Sequence, residues 1–325
     1  MRVLITGING FVGSHLSEYI LQNHPDFEIF GTIHGRTVNL ENIKPVMKKL
    51  RLIDCDIVDA HAVLAAVKEI EPDIVFHLAA QAFVPVSWRS PQETLSTNII
   101  GSMNLFEAIR QSKKEIRVHI AGSSEEYGLV HPDETPIKET NQLRPLSPYG
   151  VSKAGMDLLG YQYYKSYGLK IIRTRAFNHE GPRRGENYVT SNWSKQLAQI
   201  EAGLKEPVID VGNLESFRDF TDVRDMVKAY YLAATKCTPG EVYNICSEKA
   251  YKMRDVLNMI IGLSDKKNKI KIKVDPARMR PSDVELLLGD CSKFRNETGW
   301  KPVIPFEKTI KDSVQYWREI IRADM

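Results

Sequence analysis

Short apolar runs alternate with amphipathic stretches through the first half of the chain. Arg2-Val3-Leu4-Ile5 reads as a strand, followed by a helix from about His15 to Gln22 and further strands at Glu28-Ile29-Phe30 and Leu50-Arg51-Leu52-Ile53. A helix near Ala62 to Glu69, the strand Ile74-Val75-Phe76-His77, a helix from about Leu95 to Arg110 and the strand Arg117-Val118-His119-Ile120 continue the series. This alternation predicts an α/β fold, a doubly wound parallel sheet covered by helices on both faces. From about Asn178 the regularity weakens and Pro and Gly recur, as at Gly181-Pro182, Pro207, Gly212 and Pro281. A main domain over 1–177 and a smaller, irregular α/β domain over 178–325 are expected. The segment Glu241-Val242-Tyr243-Asn244-Ile245 is strand-like and could return to the main sheet, as could others between about 213 and 246. The run from Lys266 to Lys273 ends in alternating Lys and Ile, which predicts a half-exposed edge strand rather than a nucleic-acid surface.

Composition changes this picture little. The chain has 325 residues, 42% hydrophobic and 26% charged, the balance of a globular protein. Its 44 basic and 41 acidic residues give a net charge of +3, too small to argue for nucleic acid or a membrane surface and compatible with an anionic small substrate. Cys55, Cys237, Cys246 and Cys291 are widely spaced without a CxxC pair, which points to reduced thiols and away from a zinc site. No apolar run approaches the ~20 residues needed to span a bilayer, and the N-terminus runs directly into a strand, so a cytoplasmic location is expected.

Thr6-Gly7-Ile8-Asn9-Gly10-Phe11-Val12-Gly13 sets three glycines in the turn between the first strand and the first helix. Glycine lets the backbone approach a pyrophosphate, and the helix N-terminus offers unpaired N–H groups, so Gly7, Asn9, Gly10, Phe11, Val12 and Gly13 are candidate cofactor contacts. The spacing is that of a short-chain dehydrogenase and predicts a Rossmann domain. Asp56 and Ile57 follow the third strand, where an adenine ring would be held; the alternative for Asp56 is a helix N-cap. The second strand ends in Gly31-Thr32-Ile33-His34-Gly35-Arg36, without the carboxylate that would bind ribose hydroxyls and repel a 2′-phosphate. His34 and Arg36 could meet that phosphate, which favours NADP(H) with NAD as the alternative.

Tyr149-Gly150-Val151-Ser152-Lys153 places a phenol and an ammonium one helical turn apart. A lysine charge, together with oxidised nicotinamide, would favour the phenolate, so Tyr149 could take a proton from a sugar hydroxyl near neutral pH. Ser123, at the expected carboxyl end of a strand, would donate to the same substrate oxygen. Ser123, Tyr149 and Lys153 make a complete hydride-transfer triad.

Together with these motifs, His77-Leu78-Ala79-Ala80-Gln81, Ser123 to Gly128, Asn178 to Thr190, Gly212 to Asp225 and Arg280 to Asp290 give the chain a resemblance over nearly its whole length. It is similar to the GDP-mannose 4,6-dehydratases and their relatives, the GDP-4-keto-6-deoxy-mannose reductases, within the extended short-chain dehydrogenases. The resemblance implies that Leu78, Ala79 and Ala80 line the cofactor. It implies a GDP-sugar substrate held by Arg218 and Arg280 at the diphosphate, with Ser87, Asn178, Val189, Lys195 and Asp283 as further contacts. It also implies that Glu125 removes a C5 proton and protonates the departing C6 hydroxyl, with a strand-end carboxylate as the bland alternative and Glu126 beside it as a competitor.

Two features divide that family. The loop after the second strand is short, as in the reductases, whereas Pro182-Arg183-Arg184-Gly185-Glu186-Asn187 resembles the dehydratases. Dehydration of GDP-mannose is the leading expectation, with a reductase of a GDP-4-keto sugar or a nucleotide-sugar epimerase as alternatives. A non-enzymatic redox sensor would be expected to lack Tyr149. A homodimer is expected through the helix bearing Tyr149 and the helix from Leu95 to Arg110, where Met156, Leu159 and Tyr163 recur alongside Leu158 and Tyr161, and Ile99, Met103 and Phe106 accompany Ile100 and Leu105, more apolar positions than one buried face requires.

Overall fold

A computed structural model describes residues 1–35, 39–112, 114–279, 284–323 and 325. Thirteen strands are described: β1 (Arg2–Thr6), β2 (Glu28–Ile33), β3 (Leu50–Asp54), β4 (Ile74–His77), β5 (Arg117–Ser123), β6 (Lys170–Ala176), β7 (Asn178–Glu180), β8 (Val208–Val211), β9 (Phe217–Asp222), β10 (Val242–Ile245), β11 (Ala250–Lys252), β12 (Lys271–Val274) and β13 (Leu286–Leu287). The α-helices are α1 (Phe11–Asn23), α2 (Ala60–Ile70), α3 (Val84–Arg89), α4 (Pro91–Leu95), α5 (Gly101–Arg110), α6 (Pro148–Tyr167), α7 (Val189–Glu201), α8 (Val223–Lys236), α9 (Met253–Gly262), α10 (Ser292–Thr298) and α11 (Phe306–Ala323).

Seven strands form one parallel sheet in the order β10-β6-β5-β4-β1-β2-β3. Successive side chains of a strand face opposite ways, and both faces are covered here. Val3, Ile5 and Phe76 enter the core under α1 and α8, while Leu4, Val75 and Val118 enter the core under α2, α5 and α6. The fold is α/β, a doubly wound Rossmann sheet. Tyr243 and its strand lie at the sheet edge beside β6, although the chain between them builds most of a second body. There β9 pairs with β7, β11 and β13, β8 pairs with β12, and Trp193, Leu197, Phe220, Leu257 and Val314 form a third core.

Two expectations change in detail. The helix predicted from Leu95 to Arg110 starts earlier, at Pro91, and is interrupted by a π-helical turn at Ser96–Ile100. That turn carries Asn98 to Gln81 on one side and Ser152 on the other. The basic run forms a strand, but all four residues of β12 are exposed, so its Lys-Ile alternation marks no buried face. Its neighbour Lys266 donates to the carbonyls of Ile200 and Glu201 and caps α7. All four cysteines are buried and unbonded. Among the described residues, no helix is long and apolar enough to cross a membrane.

Candidate active site

The glycine-rich turn is a tight cradle. Gly7 has φ +68°, and a Cβ there would lie 3.0 Å from the Cα of Ala79; one on Gly13 would meet the Gly7 carbonyl at 2.6 Å. The first turn of α1 has no side-chain cap and no acidic residue, so its N–H groups suit an anion. Thr6 fixes the floor. Its hydroxyl accepts from Leu78 N and Ala79 N, both at 3.0 Å, and spends its own proton on His77 Nδ1 at 2.9 Å. His77 is then the Nε2–H tautomer, donating to Ser102 at 2.9 Å, and Ser102 donates to Asn98 O at 2.6 Å. Burial pushes His77 down to about 3, so the ring stays neutral.

At the adenine end, His34 Nε2 lies 3.5 Å from Asp56 on the surface. Asp56 accepts from Val58 N, but the N-cap of α2 is Asp59, which accepts from His61 N and Ala62 N. Ile57 is buried, and a Cβ on Gly101 would come within 2.7 Å of it. Asn9 donates to Asn39 O and accepts from Asn42, which ties the cradle to the β2–β3 connection. Arg36 lies outside the described residues.

The triad candidates meet where β5 ends and α6 begins. Ser147 caps α6 by accepting from Gly150 N at 3.0 Å, and Pro148 occupies the first turn. Tyr149 and Lys153 therefore share one helix face, both buried. Tyr149 is hydrogen-bonded to Ser123; the Lys153 ammonium donates to Ala121 O at 2.8 Å and lies 5.9 Å from the Tyr149 ring centroid. Burial raises the Tyr149 pKa, opposed by the Ser123 hydrogen bond, and pulls Lys153 down to about 8, opposed by Glu126. The expected draw of Tyr149 towards phenolate joins the Lys153 charge to that of oxidised nicotinamide; within the chain alone, desolvation acts against both charges and favours the protonated phenol.

The neighbouring glutamates separate cleanly. Glu126 closes a capping box on Ser123 and lies fully buried beside Arg175 and Asp157. Glu125 is part-exposed, and its charge raises the Tyr149 pKa. A Cβ on Gly150 would meet the Glu125 carbonyl at 2.6 Å, so the first turn of α6 packs directly on this backbone.

The substrate-side candidates divide. Asn178 lies on β7, paired with Phe220 of β9, and is part-buried. Val189 is exposed at the start of α7. Ser87 is fully buried, with its hydroxyl donating to Val84 O at 2.7 Å. Lys195, part-buried, pairs with Glu186 and stands 5.3 Å over the Trp317 ring. Arg218 is buried, donating to Phe217 O and Val284 O. Arg280 and Asp283 lie outside the described residues.

Three groupings escaped the sequence reading. The Thr6–His77–Ser102 chain hid inside two quoted motifs. Arg184 stacks 3.6 Å over Tyr188 and 4.9 Å over Phe11, and His179 stacks on Phe11 as well, so the loop before α7 closes over the cofactor turn. Asp157 carried a readable signal, one helical turn beyond Lys153 on the same face.

Residues 4–313 match a family model described as GDP-mannose 4,6 dehydratase. The chain belongs to this family. GDP-6-deoxy-D-mannose reductase of Pseudomonas aeruginosa is 29% identical over 99% of each chain. GDP-mannose 4,6 dehydratase 2 of Arabidopsis thaliana is 32% identical over 99% of this chain and 88% of its own length. Among solved structures, RMD from Pseudomonas aeruginosa complexed with NADPH superposes with a TM-score of 0.84 at 28% identity, covering 98% of this chain and 99% of that one. UDP-glucose 4-epimerase of Thermus thermophilus, in complex with NAD, gives 0.85 at 31% identity, covering 98% and 99%. This family member is an enzyme of the short-chain dehydrogenase/reductase type.

Proposed function

We propose that the chain is a nucleotide-sugar 4,6-dehydratase that converts GDP-mannose to GDP-4-keto-6-deoxy-mannose. Glu125 carries this reading: it is a part-exposed carboxylate close enough to the phenol for its charge to raise the Tyr149 pKa. When bound, the dinucleotide supplies the hydride acceptor for C4 and the hydride donor for C6. Tyr149 takes the C4 hydroxyl proton while Ser123 holds the same oxygen. The C4 ketone acidifies the C5 hydrogen, which Glu125 removes and passes to the departing C6 hydroxyl, so water leaves. As hydride reaches C6 a proton returns to C5, matching the one Tyr149 took from the C4 hydroxyl, and no net oxidant is consumed.

Gly7, Gly10 and Gly13 would hold the pyrophosphate, with Asn9, Phe11 and Val12 around it and Leu78, Ala79 and Ala80 below. His34, Arg36, Asp56 and Ile57 would hold the adenosine end. The missing carboxylate after β2 favours NADP(H), with NAD as the alternative; relatives solved with NADPH and with NAD support both. Ser87, Asn178, Val189, Lys195, Arg218, Arg280 and Asp283 are the proposed contacts to the GDP-sugar, and two chains assemble as a homodimer.

One second reading has specific support. The Pseudomonas reductase matches this chain end to end, and burial biases Tyr149 towards its protonated form, which suits donation of a proton to a C4 ketone. Purified protein incubated with GDP-mannose and NADP(H), without excess reductant, is expected to release the 4-keto-6-deoxy product. No product, together with NADPH oxidation by a GDP-4-keto-6-deoxy sugar, would replace the dehydratase with the reductase.

A further inference from the structure

We propose that Glu126 is a positioning residue of the catalytic centre, tying Ser123 through Arg175 and Asp157 to the helix that carries Tyr149 and Lys153. The proposal rests on the reading of Ser123, Tyr149 and Lys153 as the reacting groups, and it applies to either direction of hydride transfer at C4.

Glu126 is fully buried, three residues beyond Ser123. One carboxylate oxygen accepts from Ser123 N at 2.7 Å; the other accepts from Arg175 Nε at 3.1 Å. Arg175 Nε also donates to Asp157 at 3.0 Å, and Arg173 pairs with the other Asp157 oxygen. Asp157 sits one turn beyond Lys153. A continuous path thus runs from the Ser123 backbone through Glu126, Arg175 and Asp157 into the helix that carries Tyr149 and Lys153. A Cβ on Gly122 would lie 2.4 Å from the Glu126 carboxylate, so the strand itself is shaped around this group.

The charges facing Glu126 define its electrostatic part. From β6 comes the Arg175 guanidinium, from α6 the Asp157 carboxylate with Lys153 and Tyr149, and from the adjoining turn Tyr127; Arg173 reaches the group through Asp157, and Glu139 through Tyr127. Burial and the Asp157 charge raise the Glu126 pKa to about 8 against the opposing Arg175, so Glu126 gains its charge as pH rises through that value. Its charge favours the ammonium form of Lys153, against the desolvation that pulls it down. A plain capping residue would need only an acceptor for Ser123 N–H; the link to Arg175 and Asp157 gives Glu126 a second role.

Glu126→Gln keeps that acceptor and removes the charge. The variant is expected to fold and keep its KM within about threefold, with kcat down about tenfold or more. Without the anion Lys153 loses its proton at lower pH, so the alkaline limb of the kcat profile moves down. A profile superimposable on wild type, with kcat within about twofold of wild type, would overturn the proposal. Should Glu126→Gln fail to fold, Glu126→Asp decides: the shorter anion should lower kcat and leave the alkaline limb in place, and unchanged kcat or a shifted limb refutes it. Titration of Lys153 by 13Cε-lysine NMR, assigned through Lys153→Arg, needs no sugar. A wild-type chain inert towards GDP-sugars would overturn the functional reading, whereas an unmoved Lys153 titration in Glu126→Gln would overturn this one.

Discussion

Asn98 donates from its amide nitrogen to the Ser152 hydroxyl at 2.8 Å, tying the π-helical turn to the helix that bears Tyr149. Ser152 passes the link on by donating to Tyr149 O at 2.7 Å. The same amide donates to Gln81 O at 3.0 Å and accepts from Gln81 N at 2.8 Å. Asn98 is therefore the point where the segment after β4, the π turn and α6 are held together, and a π turn placed there has a use.

Asn98→Ala leaves Gln81 N–H, Gln81 C=O and the Ser152 hydroxyl each short of a partner in a buried setting. Unmet buried groups cost about 1–3 kcal/mol each and relax in part, so a loss of roughly 2–4 kcal/mol is expected. Urea unfolding measures it. Because Tyr149 loses its anchor, kcat should fall in the protein that remains folded. A loss under about 1 kcal/mol with unchanged kcat would show the contacts to be replaceable.

Lys153 makes stability depend on pH. Its folded pKa of about 8 lies below the 10.5 of an unperturbed lysine. Below about pH 8 the ammonium is charged in both states and the folded chain carries the full cost of burying it. Between these two values the unfolded chain holds more protons, so stability rises with pH. Compared with Lys153→Met, the wild-type chain should gain roughly 3–3.5 kcal/mol across that window. Chemical denaturation at several pH values checks this, and a pH-independent difference would show that the ammonium is not desolvated.

Much of the sheet was legible because a parallel strand buried on both faces reads as a continuous apolar run, as at Ile74-Val75-Phe76. Ser123, Tyr149 and Lys153 were legible because local spacing alone brings two of them onto one helix face and the strand end supplies the third. What escaped depends on distant pairing. Nothing near Glu126 in sequence announces Arg175, 49 residues away, nor does Asn98 announce Ser152, 54 residues on. The burial that raises the Tyr149 pKa is equally hidden in the sequence, because it arises only when β5, α6 and the loop before α7 close around the phenol.

Assembly tests a different surface. Of the apolar residues expected at a dimer interface, Met156, Tyr163 and Phe106 are buried within the chain's own second core, and Ile99 packs on Gly155. Leu158 and Tyr161, expected there too, are exposed on α6 beside Val151, with Leu158 58% exposed, and Ile100 lies exposed on the π turn. Leu158→Arg is expected to yield a monomer by light scattering with an unchanged unfolding midpoint at low concentration. Wild-type protein that is itself monomeric and fully active would remove the proposed dimer.

Glu125→Gln separates the two chemistries. In a dehydratase the variant still oxidises C4, because Tyr149 and Ser123 are intact, but it cannot remove the C5 proton. Mixing it with GDP-mannose and NADP should therefore accumulate reduced dinucleotide, visible in the near ultraviolet, while release of keto-deoxy product falls by about 10²–10⁴. Tyr149→Phe should give neither signal while keeping its affinity for the sugar nucleotide, since the phenol acts mainly in the transition state. In a reductase Glu125 handles no proton, so Glu125→Gln should turn over a GDP-4-keto-6-deoxy sugar within a few-fold of wild type and produce no reduced dinucleotide from GDP-mannose. The pattern across the two variants distinguishes loss of the C5 step from loss of hydride transfer. A Glu125→Gln protein that dehydrates GDP-mannose at the wild-type rate would remove Glu125 from the mechanism.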